Sequence, residues 1–160
     1  MKTLYKAIAE KLQGDLECFV DIWNRQPERQ NEQHPLLLPA VFVEFVSATP
    51  LRSKNGVQQL SVNLTLHLVQ ESYSDSYEGA ETQAKALAVF DFTERVYVSL
   101  QDFAGEKFSP LERKATRYDD NYSNVIVFEI DFYTIYQDTS KKDASEGLLI
   151  EPDLEPQRIY

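Results

Sequence analysis

Cysteine is nearly absent from this chain of 160 residues. Cys18 alone excludes an internal disulfide framework and a cysteine-rich zinc site. It sits in an apolar run and reads as a small buried side chain rather than a nucleophile. Glycine is scarce as well, and none of the five forms a phosphate-cradling loop. Gly-x-Ser-x-Gly and His-Glu-x-x-His are also missing. Cations are outnumbered, 16 Lys and Arg against 26 Asp and Glu, for a net charge of −10. Gripping nucleic acid needs clustered Lys and Arg, so a general hold on phosphate is excluded. A protein that stands beside a passing duplex without holding it remains open. Long apolar runs are missing too. Met1 to Leu12 is broken by Lys2, Lys6, Glu10 and Lys11, unlike a signal peptide, and no later run approaches membrane-spanning length. The expectation is a soluble protein made in the cytoplasm, with no membrane partner.

What is present is strand and helix periodicity. Val57 to Val69 alternates without a break from Leu60. Leu60, Val62, Leu64, Leu66 and Leu68 fall on one side; Ser61, Asn63, Thr65 and His67 fall on the other. Successive strand residues point to opposite faces, so one face is apolar and the other wet. Asn124 to Tyr136 repeats the pattern, with Ile126, Phe128, Ile130 and Phe132 against Val127, Glu129, Asp131 and Tyr133. As neighbours, the two strands bring Glu129 and Asp131 beside Thr65 and His67.

Leu4, Ile8 and Leu12 predict a short amphipathic helix over Thr3–Gln13, capped by Thr3 and stopped by Gly14. Leu16 to Asn24 reads as a strand, followed by a polar loop through His34. Pro39 to Val46 is apolar on both faces and predicts an interior strand. Ser47 to Gly56 reads as a long, locally basic loop holding Pro50, Arg52, Lys54 and the Asn55-Gly56 turn. After a polar connection with Tyr73 and Tyr77, a long helix is predicted over Ala80–Phe103. Its stripe is Val89, Phe92, Val96, Leu100 and Phe103, extended by Ala84, Leu87 and Ala88, and Gly105 is its stop. Arg113 to Asp119 is a weaker strand and Asp119 to Ser123 a turn.

The fold class is therefore α+β: a mainly antiparallel sheet of four to five strands, one face covered by a long helix and a short N-terminal helix. Residues 1–136 read as one domain and 137–160 as an acidic tail or arm, one that orders on a neighbouring subunit or stays mobile.

No catalytic set stands out, and no enzyme, cofactor or metal is expected. His67 could act as a base beside Glu129 or Asp131, but it reads better as a solvated strand histidine. Asp119 and Asp120, followed by Asn121, suit a turn better than a metal site. Tyr73, Tyr77 and Tyr122 lie in loops, where aromatics with a polar tip suit partner contact. The candidate contacts are Arg52, Lys54, Tyr73, Tyr77, Asp119, Asp120 and Tyr122.

The order of elements resembles the tail terminator, or tail completion, proteins of long-tailed bacteriophages, the minor tail and head–tail joining family. The resemblance rests on the opening helix Leu4 to Leu12, the strand pair Val41 to Val69, the long helix from Ala80, and the closing hairpin ending in Phe128 to Tyr136. It implies a structural subunit of a phage or prophage that forms a ring, a hexamer in the family. Such a ring closes the tail tube and joins it to the head connector, with DNA only passing through the lumen. It also implies a place in the virion tail after assembly. Two rival readings are a small ligand-binding or enzymatic α+β domain around His67, and an adaptor of a secretion or conjugation apparatus related to phage tails.

Overall fold

The computed structural model describes residues 1–29, 35–73 and 75–146. Helix α1 spans Lys2–Asp15, followed by strand β1, Phe19–Ile22, and a 3-10 turn, Gln26–Arg29. Strands β2, Ala40–Lys54, and β3, Val57–Glu71, come next. Helix α2 is Gln83–Leu100, β4 is Glu112–Asp119, β5 is Val125–Asp138, and α3 is Ser140–Ser145. One five-stranded sheet runs β1-β2-β3-β5-β4. The β1–β2 pair is parallel and the other three pairs are antiparallel. The α+β class and the mainly antiparallel sheet are thus as expected.

The alternating strands do what their pattern requires. Leu64 lies opposite Phe132, Leu66 opposite Ile130 and Leu68 opposite Phe128. Residues directly opposite in a ladder share a face, so these side chains form one apolar floor. Over it lie Leu4, Ile8 and Leu12 of α1 and Phe92, Val96 and Leu100 of α2, in a single core. Neither helix would persist alone; each is held by the face it buries.

Several boundaries differ from the sequence pattern. The expected loop at Ser47 to Gly56 is strand: β2 continues to Lys54 and turns directly into β3 through Asn55 and Gly56. Both turn residues have positive φ, 51° and 76°, the backbone that a two-residue hairpin demands and that Asn-Gly supplies. Pro50 is accommodated because β1 pairs with β2 only through Val43, so this stretch lies on an open edge. Register irregularities between Phe45 and Ser47 and between Pro50 and Arg52 leave Val46 and Leu51 as extra residues.

The helix ends differ as well. Met1, not Thr3, precedes α1, with no side-chain cap, and the helix runs through Gly14. Helix α2 starts at Gln83 after turns at Ala80 to Thr82 and stops at Leu100, where Gln101 turns extended. Phe103 still packs on the core, but from the loop after the helix, and Gly105 bridges Phe108 there. Ala84, Leu87 and Ala88 are exposed; Ala86 is the alanine that faces the core. The strand within Leu16–Asn24 is only the four residues of β1.

At the carboxyl end, β5 takes in Gln137 and Asp138 before α3. His34 and the segment 147–160, the larger part of the expected tail, lie outside the described residues.

Candidate functional site

The second face of the sheet is not simply wet. At the end of β3 near Glu71, Ala40, Phe42, Val69, Val125 and Val127 form a second, smaller core, flanked by Trp23, Leu36, Leu38 and Tyr122. This corrects the reading of His67 as solvated: it is 4% exposed. The Trp23 ring lies flat on the imidazole, with centroids 3.8 Å apart and planes 9° from parallel. Trp23 comes directly after β1, and its amide donates to the Val43 carbonyl, so the parallel β1–β2 pairing brings the indole over β3. The cause is visible at Phe42, Val69 and Val127. Their apolar side chains share the face of His67 and need a lid, which Trp23, Leu36 and Leu38 supply.

Around His67 the polar side chains form a connected chain of contacts. Its Nε2 lies 2.7 Å from Glu44 Oε2. Its Nδ1 lies 3.2 Å from Glu129 Oε1 but has no aligned hydrogen bond, so that contact is electrostatic in character. Arg117 ion-pairs with Glu129 and, through both terminal nitrogens, with Asp131. The Thr65 hydroxyl donates to Asp131 Oδ1 at 2.7 Å. The expected juxtaposition is therefore present in the register, His67 opposite Glu129 and Thr65 opposite Asp131.

Burial tends to raise the Asp131 carboxyl, but the hydrogen bonds from Arg117 and Thr65 outweigh it and hold the group below the usual carboxylate range. Asp131, by accepting hydrogen bonds from Arg117, in turn holds that guanidinium above its ordinary value. Chemically the cluster is a network of paired side chains, three carboxylates against Arg117 and His67, rather than a poised base. His67 is sealed by Trp23 and touches Glu44 and Glu129, and Arg117 joins Glu129 to Asp131. Beside it a shallow groove of about 410 Å³ runs between Glu44, Val46, Lys114 and Arg117.

Trp23, Glu44 and Arg117 belong to this lattice but were not singled out by sequence. Arg117 had a usable signal, since it occupies a position opposite Glu129. Trp23 had none, because its position depends on a parallel pairing between distant segments.

The candidate contact residues separate into two groups. Arg52 and Lys54 are exposed beside the β2–β3 turn, where Arg52 Nε donates to Gln59 Oε1 at 2.8 Å. Tyr73, Asp119, Asp120 and Tyr122 gather at the other end of β3, since Glu71 pairs with Val125 just past the β4–β5 turn. Tyr73 donates to Glu71, and Lys85 of α2 lies over its ring. Tyr77 is exposed in the connection to α2. Asp119 Oδ1 accepts from the Asn121 amide, the turn geometry its sequence suggested. Tyr122 packs on the smaller core, and burial pushes its hydroxyl up. Among the described residues no three His, Cys, Asp or Glu side chains are grouped to hold a metal ion. Cys18 is half-buried, and burial raises its thiol, opposite to what an activated nucleophile needs.

Neither a protein-family model nor a curated protein matches the sequence. Among solved structures, the chain is similar to one from the virion of a native gene transfer agent particle. The two are 10% identical, with 82% of this chain and 84% of that chain covered and a TM-score of 0.41. A likeness that remote carries no weight for function. No helix among the described residues is long and apolar enough to cross a membrane.

Proposed function

We propose that this chain is a structural subunit of a phage or prophage tail, assembling as a ring that closes the tail tube and meets the head connector. The supporting observation is the distribution of unsatisfied surface. Exposed apolar side chains stand on both lateral edges of one sheet, Phe19 and Ile22 on β1 and Tyr118 on β4, with Phe90 of α2 beside Phe128. The two edges are unlike in sequence, and a closed ring needs two different, complementary lateral surfaces.

The ends of the sheet carry the other contacts. Arg52 and Lys54 lie at one end, and the Tyr73 and Tyr122 group at the other, roughly 45 Å away along β3 at strand rise. Such a subunit has an end for each axial neighbour. The net charge of −10 suits a lumen that repels a passing duplex rather than trapping it. The polar lattice around His67 serves as an internal brace that joins β1, β2, β3, β5 and β4.

Light scattering and negative-stain electron microscopy test this, on the chain alone and mixed with phage tail-tube protein. The expected result is a closed ring, six-fold by the family resemblance. A strict monomer at high concentration, with tube protein present, overturns the reading.

A further inference from the structure

The outermost strands of the sheet, β1 and β4, each have one side on which no strand among the described residues pairs. The two edges are unlike in charge. From Leu12 to Asn24 the chain holds Asp15, Glu17 and Asp21 and no cation. From Arg113 to Tyr118 it holds Arg113, Lys114 and Arg117 and no carboxylate. Like charges directly opposite destabilise a strand pair, and that selects among the contacts open to β4. Two β4 edges brought together antiparallel set cations against cations. The outer side of β2 past Val43 is no better, since Phe45 to Gly56 holds Arg52 and Lys54 and no carboxylate. The β1 edge offers carboxylates.

The register gives the level at which the edges meet. Asp21, Phe42, His67, Glu129 and Arg117 are successive partners across one row of the sheet. The row on one side of it begins at Val20 and ends at Tyr118; the row on the other begins at Ile22 and ends at Thr116. Faces alternate along a strand, so Asp21 and Arg117 share one face and Ile22, Thr116 and Tyr118 the other. Strand β1 also runs opposite to β4, because one parallel and three antiparallel pairings separate them. A closed ring built by rotation about an axis along the strands has no rise and turns no face over. It brings each row of one copy level with the same row of the next, with β1 and β4 antiparallel.

Resting on the ring proposed above, we infer that the β1 edge of each copy docks on the β4 edge of the next along these rows. Asp21 faces Arg117 on one side of the joined sheets. Ile22 lies beside Thr116 and Tyr118 on the other, where Ile22 is 51% and Tyr118 54% exposed in the single subunit. Both charged groups have capacity to spare. Asp21 has no ion-pair partner among the described residues, and Arg117 uses at most three of its five N–H groups on Glu129 and Asp131. Side chains rather than a main-chain ladder make the join. The amides of Phe19 and Trp23 bond inward, toward Pro39 and Val43, so the Ile22 main chain faces out. It is capped within the subunit: its amide donates to Asp21 Oδ1 at 2.7 Å, and its carbonyl accepts from Gln26 Nε2 at 2.7 Å. Capping of this kind keeps an edge from pairing indiscriminately, which leaves charge and shape to choose the neighbour.

Cross-linking of the full chain tests the register. With Cys18→Ser as background, Ile22→Cys and Thr116→Cys in one chain are expected to give a ladder of linked copies with a short bismaleimide, on denaturing gels. Either cysteine alone should give monomer. Asp21→Asn, which keeps an acceptor for the Ile22 amide, should weaken association measured by light scattering, and Asp21→Arg should weaken it about tenfold or more. Dimers linked through Thr116→Cys alone overturn the inference, assigning β4 to a second β4. Links between Thr116→Cys and Ser53→Cys overturn it in favour of the β2 edge, and association unchanged in Asp21→Arg overturns it as well. Rings seen by electron microscopy that the Ile22→Cys, Thr116→Cys pair fails to link overturn this inference alone. A ladder of linked copies without closure upholds the contact and fails only the ring, while monomer throughout, with tube protein present, overturns both.

Discussion

His67 is where a single side chain carries most structure. It touches Trp23 of the β1 connection, Glu44 of β2 and Glu129 of β5. Removing it leaves carboxylates facing one another and a void under the indole. His67→Ala should therefore cost about 2–3 kcal/mol in urea unfolding, below the full figure for a buried pair because Glu44 is partly solvated. Trp23 is the only tryptophan, so its fluorescence should report the lost stacking directly. An unchanged midpoint and spectrum would remove the brace from the account.

Asp131 gives the pH dependence. Its folded pKa is depressed, so its stabilising contribution is complete above the unfolded value, about 4. That contribution is lost as pH falls through the lower folded value. Asp131→Asn should be less stable than the parent at pH 7, and the difference should shrink below about pH 4. Unfolding curves at several pH values check this. A difference that stayed constant to about pH 2.5 would mean that Asp131 acts through packing alone.

At the scale of elements, the apolar floor of β3 and β5 is the part most legible in the sequence. Leu64 lies on it, fully buried between Phe132 and the helices. Leu64→Asp places an unpaired charge there, a penalty well beyond typical domain stability. The expected outcome is loss of soluble, cooperatively melting protein, read by circular dichroism. A soluble L64D protein with a sharp melt would mean the two faces are assigned backwards. The long β2–β3 hairpin was less legible. Pro50 and the small polar residues around it have loop character, and two extra residues break the alternation that identifies a strand. Only pairing with β3 makes the segment regular, and that pairing is tertiary information. Helix ends were hidden for a similar reason: Gly14 has no need of positive φ here, and α1 simply continues while its apolar face still finds the core.

At the scale of the whole molecule, the sheet has two lateral edges, two ends and one helix-covered face. Apolar side chains on both edges set an expectation for assembly. Ile22→Asp on β1 and Tyr118→Asp on β4 should each reduce ring formation in light scattering while leaving the melting temperature within about 2 °C, since both side chains are more than half exposed. If one edge variant is mixed with the other, partial assembly should return, because each subunit keeps one intact and different edge. Rings formed normally by both single variants would move the lateral contacts elsewhere.

By itself the sequence determined the α+β class, the apolar floor, the two helices that cover it and the meeting of His67 with Glu129. All of these come from periodicity and from the pairing of adjacent patterns, which are local properties of the chain. The tertiary structure decided that His67 is buried, that Trp23 seals it, that Arg117 closes the lattice and that Ser47 to Lys54 is strand. The burial of His67 and its seal depend on a parallel pairing and a second small core built from segments distant in sequence, and the other two on antiparallel pairing with β5 and β3. Periodicity gives the face on which a side chain lies; only packing decides whether that face meets water.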